Sequence, residues 1–299
     1  INYITNHSQN VSPYSLLVID KNTNFKASYV KEAISKGITT IITNSFLKNT
    51  SITQIIVKDL FKEVSKLMKL KQPFQPKKSV AITGTNGKTS TAWYLAQICK
   101  INNIPAKLTG TLGYFKDLKK IKDSDLTTPS NLDIYQFCCS DKKNKDFFIC
   151  EASSHGLHQG RFNDLYIDIA AITNLSQDHL DYHKSFRSYT QSKFLLFTKI
   201  LNKNGTAVLN SRLKNYKSLE KKLKNRNIEI LTFGSKDVYF EEKSSLSLII
   251  KNKKYQIKNL YLNNIQKENL ECAIACALAM KISLLKIIKS LGANFEITK

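Results

Sequence analysis

Residues 79–90 constrain this chain more than any other stretch. Ser79-Val80-Ala81-Ile82-Thr83 is a short apolar run, Gly84-Thr85-Asn86-Gly87-Lys88-Thr89-Ser90 follows it, and residues 89–101 continue with helical character. A strand that turns through glycines into a helix aims backbone N–H groups and the positive end of the helix dipole at one point. Phosphates bind at such points. Lys88 is placed to reach terminal phosphates, and the Thr89 hydroxyl to hold a magnesium ion. Ile82 stands where the strict G-x-x-x-x-G-K-[ST] pattern has its first glycine.

The rest of the chain alternates in the same style. Apolar runs at 147–150, 167–173 and 206–209 are separated by helical stretches at 132–138 and 189–201, which predicts a mostly parallel sheet covered by helices. Strand-like segments between 228 and 260 precede helices over 266–280 and 284–291. Upstream, runs at 16–19, 39–43 and 55–57 alternate with helical periodicity at 29–35 and 59–70, a small α/β domain. Two prolines and a basic cluster in residues 71–78 mark the boundary. The expected division is a domain over 1–72, a linker over 73–78 and a phosphate-loop domain over 79–299.

Composition narrows the function classes. At 299 residues and 42% hydrophobic content the chain can bury a core, so disorder is excluded as the default. No run approaches the ~20 apolar residues of a membrane span, and the N-terminus lacks a signal-peptide layout. A cytoplasmic location is expected. The six cysteines lie mostly in apolar segments with no paired C-x-x-C, which reads as buried free thiols. The net charge of +23 is spread along the chain rather than gathered in a patch, which favours anionic small molecules over nucleic acid.

Two further segments carry chemistry. Glu151 ends the apolar run 147–150, which puts a carboxylate at the carboxyl edge of the sheet, where α/β ligands bind. Residues 173–183, Thr-Asn-Leu-Ser-Gln-Asp-His-Leu-Asp-Tyr-His, follow another strand and gather two histidines and two aspartates. A zinc site is the rival reading there, but no cysteine lies near and the phosphate loop calls for magnesium.

Gly-Thr-Asn-Gly-Lys-Thr at 84–89 resembles the phosphate loop of the Mur ligase superfamily, which includes folylpolyglutamate and cyanophycin synthetases. Glu151-Ala152-Ser153-Ser154-His155-Gly156-Leu157, with Gln159 and Arg161 behind it, resembles the branch that adds the third residue of the peptidoglycan stem peptide. The resemblance implies the following roles. Gly84, Thr85, Asn86, Gly87, Lys88, Thr89 and Ser90 bind ATP, with Asn269 near the adenine. Thr89 and Glu151 hold one magnesium; His179 and a carbamylated Lys193 hold a second. Lys88, Glu151, His179 and Lys193 form the catalytic set. Thr127, Thr128, Ser153, Gln159 and Arg161 contact a UDP-muramoyl dipeptide, and Ser8 its uridine. In the N-terminal motif His7 and Gln9 replace the usual Asp and Arg, and Asn263 replaces a usual glycine.

The implied activity joins an amino acid, diaminopimelate or lysine, to the UDP-linked dipeptide through an acyl phosphate, in a cytoplasmic enzyme expected to be a monomer. Another ligase of the superfamily and a non-catalytic nucleotide-binding remnant are the alternatives. The chain starts without methionine and ends about where the family's C-terminal Rossmann-like domain begins. It is therefore expected to be a fragment holding the first two domains.

Overall fold

The computed structural model describes residues 3–21, 26–71, 75–140, 146–242, 245–258, 260–292 and 295–297. In chain order its elements are β1 (Tyr3–Thr5), β2 (Ser15–Ile19), α1 (Ala27–Ser35), β3 (Thr40–Thr43), β4 (Thr53–Ile56), α2 (Leu60–Lys71), β5 (Lys78–Thr83), α3 (Lys88–Ile101), β6 (Ala106–Gly110), β7 (Gly113–Lys116), β8 (Lys119–Lys122) and α4 (Asn131–Cys138). There follow β9 (Phe147–Glu151), α5 (Ser154–His158), β10 (Ile167–Ile172), α6 (Leu180–His183), α7 (Phe186–Leu195), β11 (Leu201–Asn210), α8 (Tyr216–Lys224), β12 (Glu229–Phe233), β13 (Val238–Glu242), β14 (Leu246–Ile250), β15 (Lys253–Gln256), α9 (Asn264–Ala279) and α10 (Leu284–Ser290). Two compact units result, residues 1–74 with Asn131–Ser140, and residues 75–130 with 141–299.

The first unit is a parallel sheet in the order β1-β2-β3-β4. Leu17, Ile19 and Ile41 meet Val30 and Ala33 of α1 in its core. Helix α2 buries Leu60, Val64 and Met68, a four-residue spacing that lays them along one face. Helix α4 packs against α2, and Gln136 donates to the Ile4 carbonyl. This differs from the expected division, which left 131–138 in the phosphate-loop domain. Periodicity announces a helix but not the sheet it will cover. Residues 73 and 74 of the expected linker lie outside the described residues, and Lys78, also assigned to it, opens β5.

The second unit is an eleven-stranded sheet in the order β15-β14-β13-β12-β11-β10-β5-β9-β6-β7-β8. Strands β13 to β6 run parallel, while β14, β15, β7 and β8 add antiparallel edges. A parallel sheet is covered on both faces, so its central strands are apolar along their whole length. Val80, Ile82, Ile149, Ile169, Ala171 and Val208 are all 1% exposed or less and form one core with α3 and α9. All six cysteines are buried and none forms a disulfide among the described residues. Among the described residues no helix is long and apolar enough to cross a membrane. With β5, β9, β10 and β11 parallel, their carboxyl ends bring the phosphate loop, Glu151, Thr173 and Asn210 to one edge.

Candidate active site

The turn after β5 takes its shape from two glycines in the left-handed range, Gly84 at φ 147° and Gly87 at φ 80°. A Cβ on Gly84 would stand 1.8 Å from the Thr173 hydroxyl, and one on Gly87 2.1 Å from the Asn269 side-chain oxygen, so both positions need glycine for space as well as conformation. The loop is tied to the turn after β10: the Asn174 carbonyl accepts from the Thr85 amide at 3.0 Å, and Thr173 donates to the Asn86 carbonyl at 2.6 Å. Helix α3 starts at Lys88, so its positive end faces the loop. The Lys88 ammonium folds back onto the carbonyls of Gly84 at 3.0 Å and Thr85 at 2.9 Å. Burial lowers its pKa, against the opposing pull of Glu151 and Asp178. Ser90 is half-buried on α3.

Glu151 is 2% exposed at the end of β9. Three donors meet it: the Thr89 hydroxyl at 2.9 Å, the Thr111 amide at 2.9 Å and the Thr111 hydroxyl at 3.2 Å. Burial raises the carboxyl, and those donors together with Lys88 oppose the rise. Gly110 makes room for it, since a Cβ there would lie 2.1 Å from the carboxylate. Among the described residues no three His, Cys, Asp or Glu side chains converge as a metal cage. A hydroxyl beside one carboxylate nevertheless suits magnesium, which takes one or two protein oxygens and completes its shell with phosphates and water.

Lys193, on α7, is 1% exposed and donates to the Gly84 carbonyl at 2.7 Å. Its ammonium stands 4.6 Å from the centre of the Tyr189 ring, whose hydroxyl meets Thr85 at 2.9 Å. Burial, aided by the charge of Lys88, brings the Lys193 pKa down to about 7. The amine is therefore largely neutral just above neutrality, the form that reacts with an electrophile.

His179 sits left-handed at φ 51° before α6, with its ring 3.4 Å from the Asp178 carboxylate. The His155 ring meets it edge-on at 4.7 Å and lies 4.2 Å from the Tyr182 ring. His183 is 5% exposed behind them, with Ser192 at 3.4 Å from Nδ1.

A second cluster adjoins Glu151. Thr128 donates to the Glu151 carbonyl at 2.8 Å and accepts from the Ser153 amide at 2.9 Å. Ser153 caps α5 by accepting from the Gly156 amide at 3.0 Å. Arg161 donates to the Thr128 carbonyl and, at 2.6 Å, to Gln159. The Thr127 hydroxyl lies 3.2 Å from that of Thr111. Thr111 thus joins the Glu151 carboxylate to the Thr127–Arg161 wall, a role nothing in the motifs marked.

The Mur ligase middle domain matches residues 82–277. The chain belongs to the Mur ligase family. Among similar proteins, the UDP-N-acetylmuramoyl-L-alanyl-D-glutamate–2,6-diaminopimelate ligase of Rickettsia bellii is 32% identical over 299 aligned residues, covering 96% of this chain and 62% of that protein. UDP-N-acetylmuramyl-tripeptide synthetase 2 of Oceanobacillus iheyensis is 29% identical over 97% of this chain and 62% of its own. A solved UDP-N-acetylmuramoyl-L-alanyl-D-glutamate–2,6-diaminopimelate ligase superposes with a TM-score of 0.79 at 23% identity, covering 97% of this chain and 62% of the other. The MurF of Acinetobacter baumannii does so at 0.75 and 20%, covering 98% and 63%. The chain spans about 62% of the length of these two curated relatives.

Within this Mur ligase chain, Thr89 meets Glu151 and Lys193 meets Gly84 at the phosphate loop. Asn269 is 4% exposed on α9, against Gly87, and its carbonyl accepts from Thr91 at 3.3 Å. Asn263, which departs from the family's glycine, caps α9: it accepts from the Gln266 amide at 2.9 Å while the Gln266 side chain accepts from the Asn263 amide at 3.0 Å. Ser8 belongs to the first unit, where its hydroxyl donates to Glu32 at 2.6 Å.

Proposed function

We propose that this chain carries the nucleotide and muramoyl sites of an ATP-dependent ligase that joins diaminopimelate or lysine to UDP-N-acetylmuramoyl-L-alanyl-D-glutamate. The observation that carries the reading is the position of Glu151. It accepts from Thr89 of the phosphate loop on one side and from Thr111, which reaches Thr127, on the other. One carboxylate thus joins the nucleotide loop to the wall proposed for the sugar nucleotide.

In this reading the loop amides and Lys88 hold the phosphates of ATP, with Asn269 beside the adenine. Arg161, whose fork suits an anionic group, orients the muramoyl peptide with Thr127, Thr128, Ser153 and Gln159. In the first unit, Ser8 is the residue proposed for the uridine. The glutamyl carboxylate attacks the terminal phosphorus and ADP leaves; the amine of the incoming amino acid then attacks the acyl carbon and phosphate leaves. Thr89 and Glu151 are the oxygen donors for magnesium, which when bound neutralises charge on the phosphates. His179 and carbamylated Lys193 are assigned to a second magnesium. A cytoplasmic monomer that takes no nucleic acid belongs to the same proposal.

Titrating the chain calorimetrically with the UDP-linked dipeptide tests it. Saturable binding that is lost in Arg161→Ala and kept in Lys88→Ala is expected; absence of binding at millimolar ligand would sink the muramoyl reading. Carbamylation has its own test. A ¹³C-bicarbonate carbamate signal should appear above about pH 7, where Lys193 is neutral, fade below it and vanish in Lys193→Ala. A signal that survives in Lys193→Ala assigns the carbamate elsewhere.

A further inference from the structure

One flank of the nucleotide site holds a buried acid for which the proposed reaction has no use. Glu271, on α9, is 1% exposed. One of its oxygens accepts from the Phe240 amide at 2.7 Å. The other has no hydrogen-bond partner among the described residues and faces the Arg212 guanidinium at 3.9 Å. Burial pushes the carboxyl up to about 7, only partly offset by the Phe240 amide and Arg212.

Arg212 follows β11 and is anchored at several points besides Glu271. Its guanidinium donates to the Gly234 carbonyl at 2.6 Å, and its amide to the Asn210 side chain at 2.9 Å. Its side chain is nevertheless 52% exposed. A planar cation held at its nitrogens and half exposed can serve as a platform for an aromatic ring.

The platform lies on the correct side of the loop. Asn210 donates to the Thr173 carbonyl at 2.6 Å, and Thr173 donates to Asn86 of the loop at 2.6 Å. In the sheet, β11 lies on the β10 side of β5, whereas β9 and β6, which position Glu151 and Thr111, lie on the other side. A nucleotide whose terminal phosphate faces Glu151 runs its nucleoside away from β9, past Asn269 toward Arg212.

We propose that Arg212, fixed by Glu271 and the Gly234 carbonyl, is the surface on which the purine of the bound nucleotide stacks. The inference rests on the nucleotide reading above. The test compares magnesium complexes of a non-hydrolysable ATP analogue and of inorganic tripolyphosphate, titrated into the wild-type chain, Arg212→Ala, Arg212→Lys and Lys88→Ala. Arg212→Ala is expected to weaken the analogue about tenfold and leave tripolyphosphate unchanged, the latter also reporting an intact loop. Arg212→Lys keeps the charge but loses the plane, and is expected to rescue little.

Equal affinity of Arg212→Ala and wild type for the analogue overturns the inference while the nucleotide reading stands. So does full rescue by lysine, or a parallel loss of both ligands in both Arg212 variants. Failure of the wild type to bind either ligand, or binding untouched by Lys88→Ala, overturns the nucleotide reading and the inference with it.

Discussion

Two glutamates of the second unit are buried to nearly the same degree, Glu151 at 2% and Glu271 at 1% exposure, and they are dressed differently. Glu151 accepts from two hydroxyls and an amide and has Lys88 nearby. Glu271 accepts from one amide and faces a guanidinium at 3.9 Å. Burial penalises both anions; the number of donors decides how far each is compensated. Burial raises the Glu151 carboxyl too, but against three hydrogen-bond donors and Lys88. Glu271 has fewer donors, and its carboxyl is pushed up to about 7.

The sharpest way to break this contrast is to neutralise each acid in turn. Glu151→Gln keeps the shape and loses the charge, so magnesium-dependent binding of the ATP analogue should fall about a hundredfold, roughly 3 kcal/mol. Glu271→Gln should leave the magnesium midpoint unchanged. If both variants shift that midpoint equally, the two acids are not distinct in role.

The same contrast separates what the chain announces from what folding creates. Gly84–Ser90 and Glu151 are legible because a strand, a glycine turn and a helix lie consecutively, and a second apolar strand ends on the carboxylate. Lys193 looks like one lysine among many until α7 carries it under the Gly84 carbonyl; only resemblance to a family lifted it out. Thr111, Arg212 and Glu271 had no signal at all. Their partners lie 40, 59 and 31 positions away in Glu151, Glu271 and Phe240, and a local pattern does not encode such pairings. Helix α4 failed in a similar way, recognised as a helix and assigned to the wrong unit.

A smaller effect follows from titration. The Glu271 carboxyl rises from an ordinary 4.5 to about 7 on folding, so the folded state holds its proton more tightly than the unfolded chain. Its stabilising contribution is complete below about pH 4.5 and is lost as pH climbs through about 7. The rise corresponds to at most about 3 kcal/mol, less whatever proton-holding structure the unfolded chain retains. Glu271→Gln has no such proton, so the stability of the wild type relative to this variant should fall between pH 5 and pH 8. Urea unfolding of both chains across that range checks it, and parallel pH profiles would remove the distinction drawn between the two acids.

The smallest expected effect is the most diagnostic, because it makes Glu151 resemble Glu271. Thr111→Val removes one hydroxyl donor from the carboxylate and its link to Thr127 while leaving the Thr111 amide in place. Losing a hydrogen bond to a buried anion costs about 1–2 kcal/mol, so the magnesium midpoint for analogue binding should rise about tenfold. The loss should grow as pH is lowered, because a carboxylate with fewer donors is protonated more readily and a protonated Glu151 offers magnesium no charge. A midpoint unchanged at every pH would mean that the Thr111 amide and Thr89 suffice, and that donor number is not what sets Glu151 apart from Glu271.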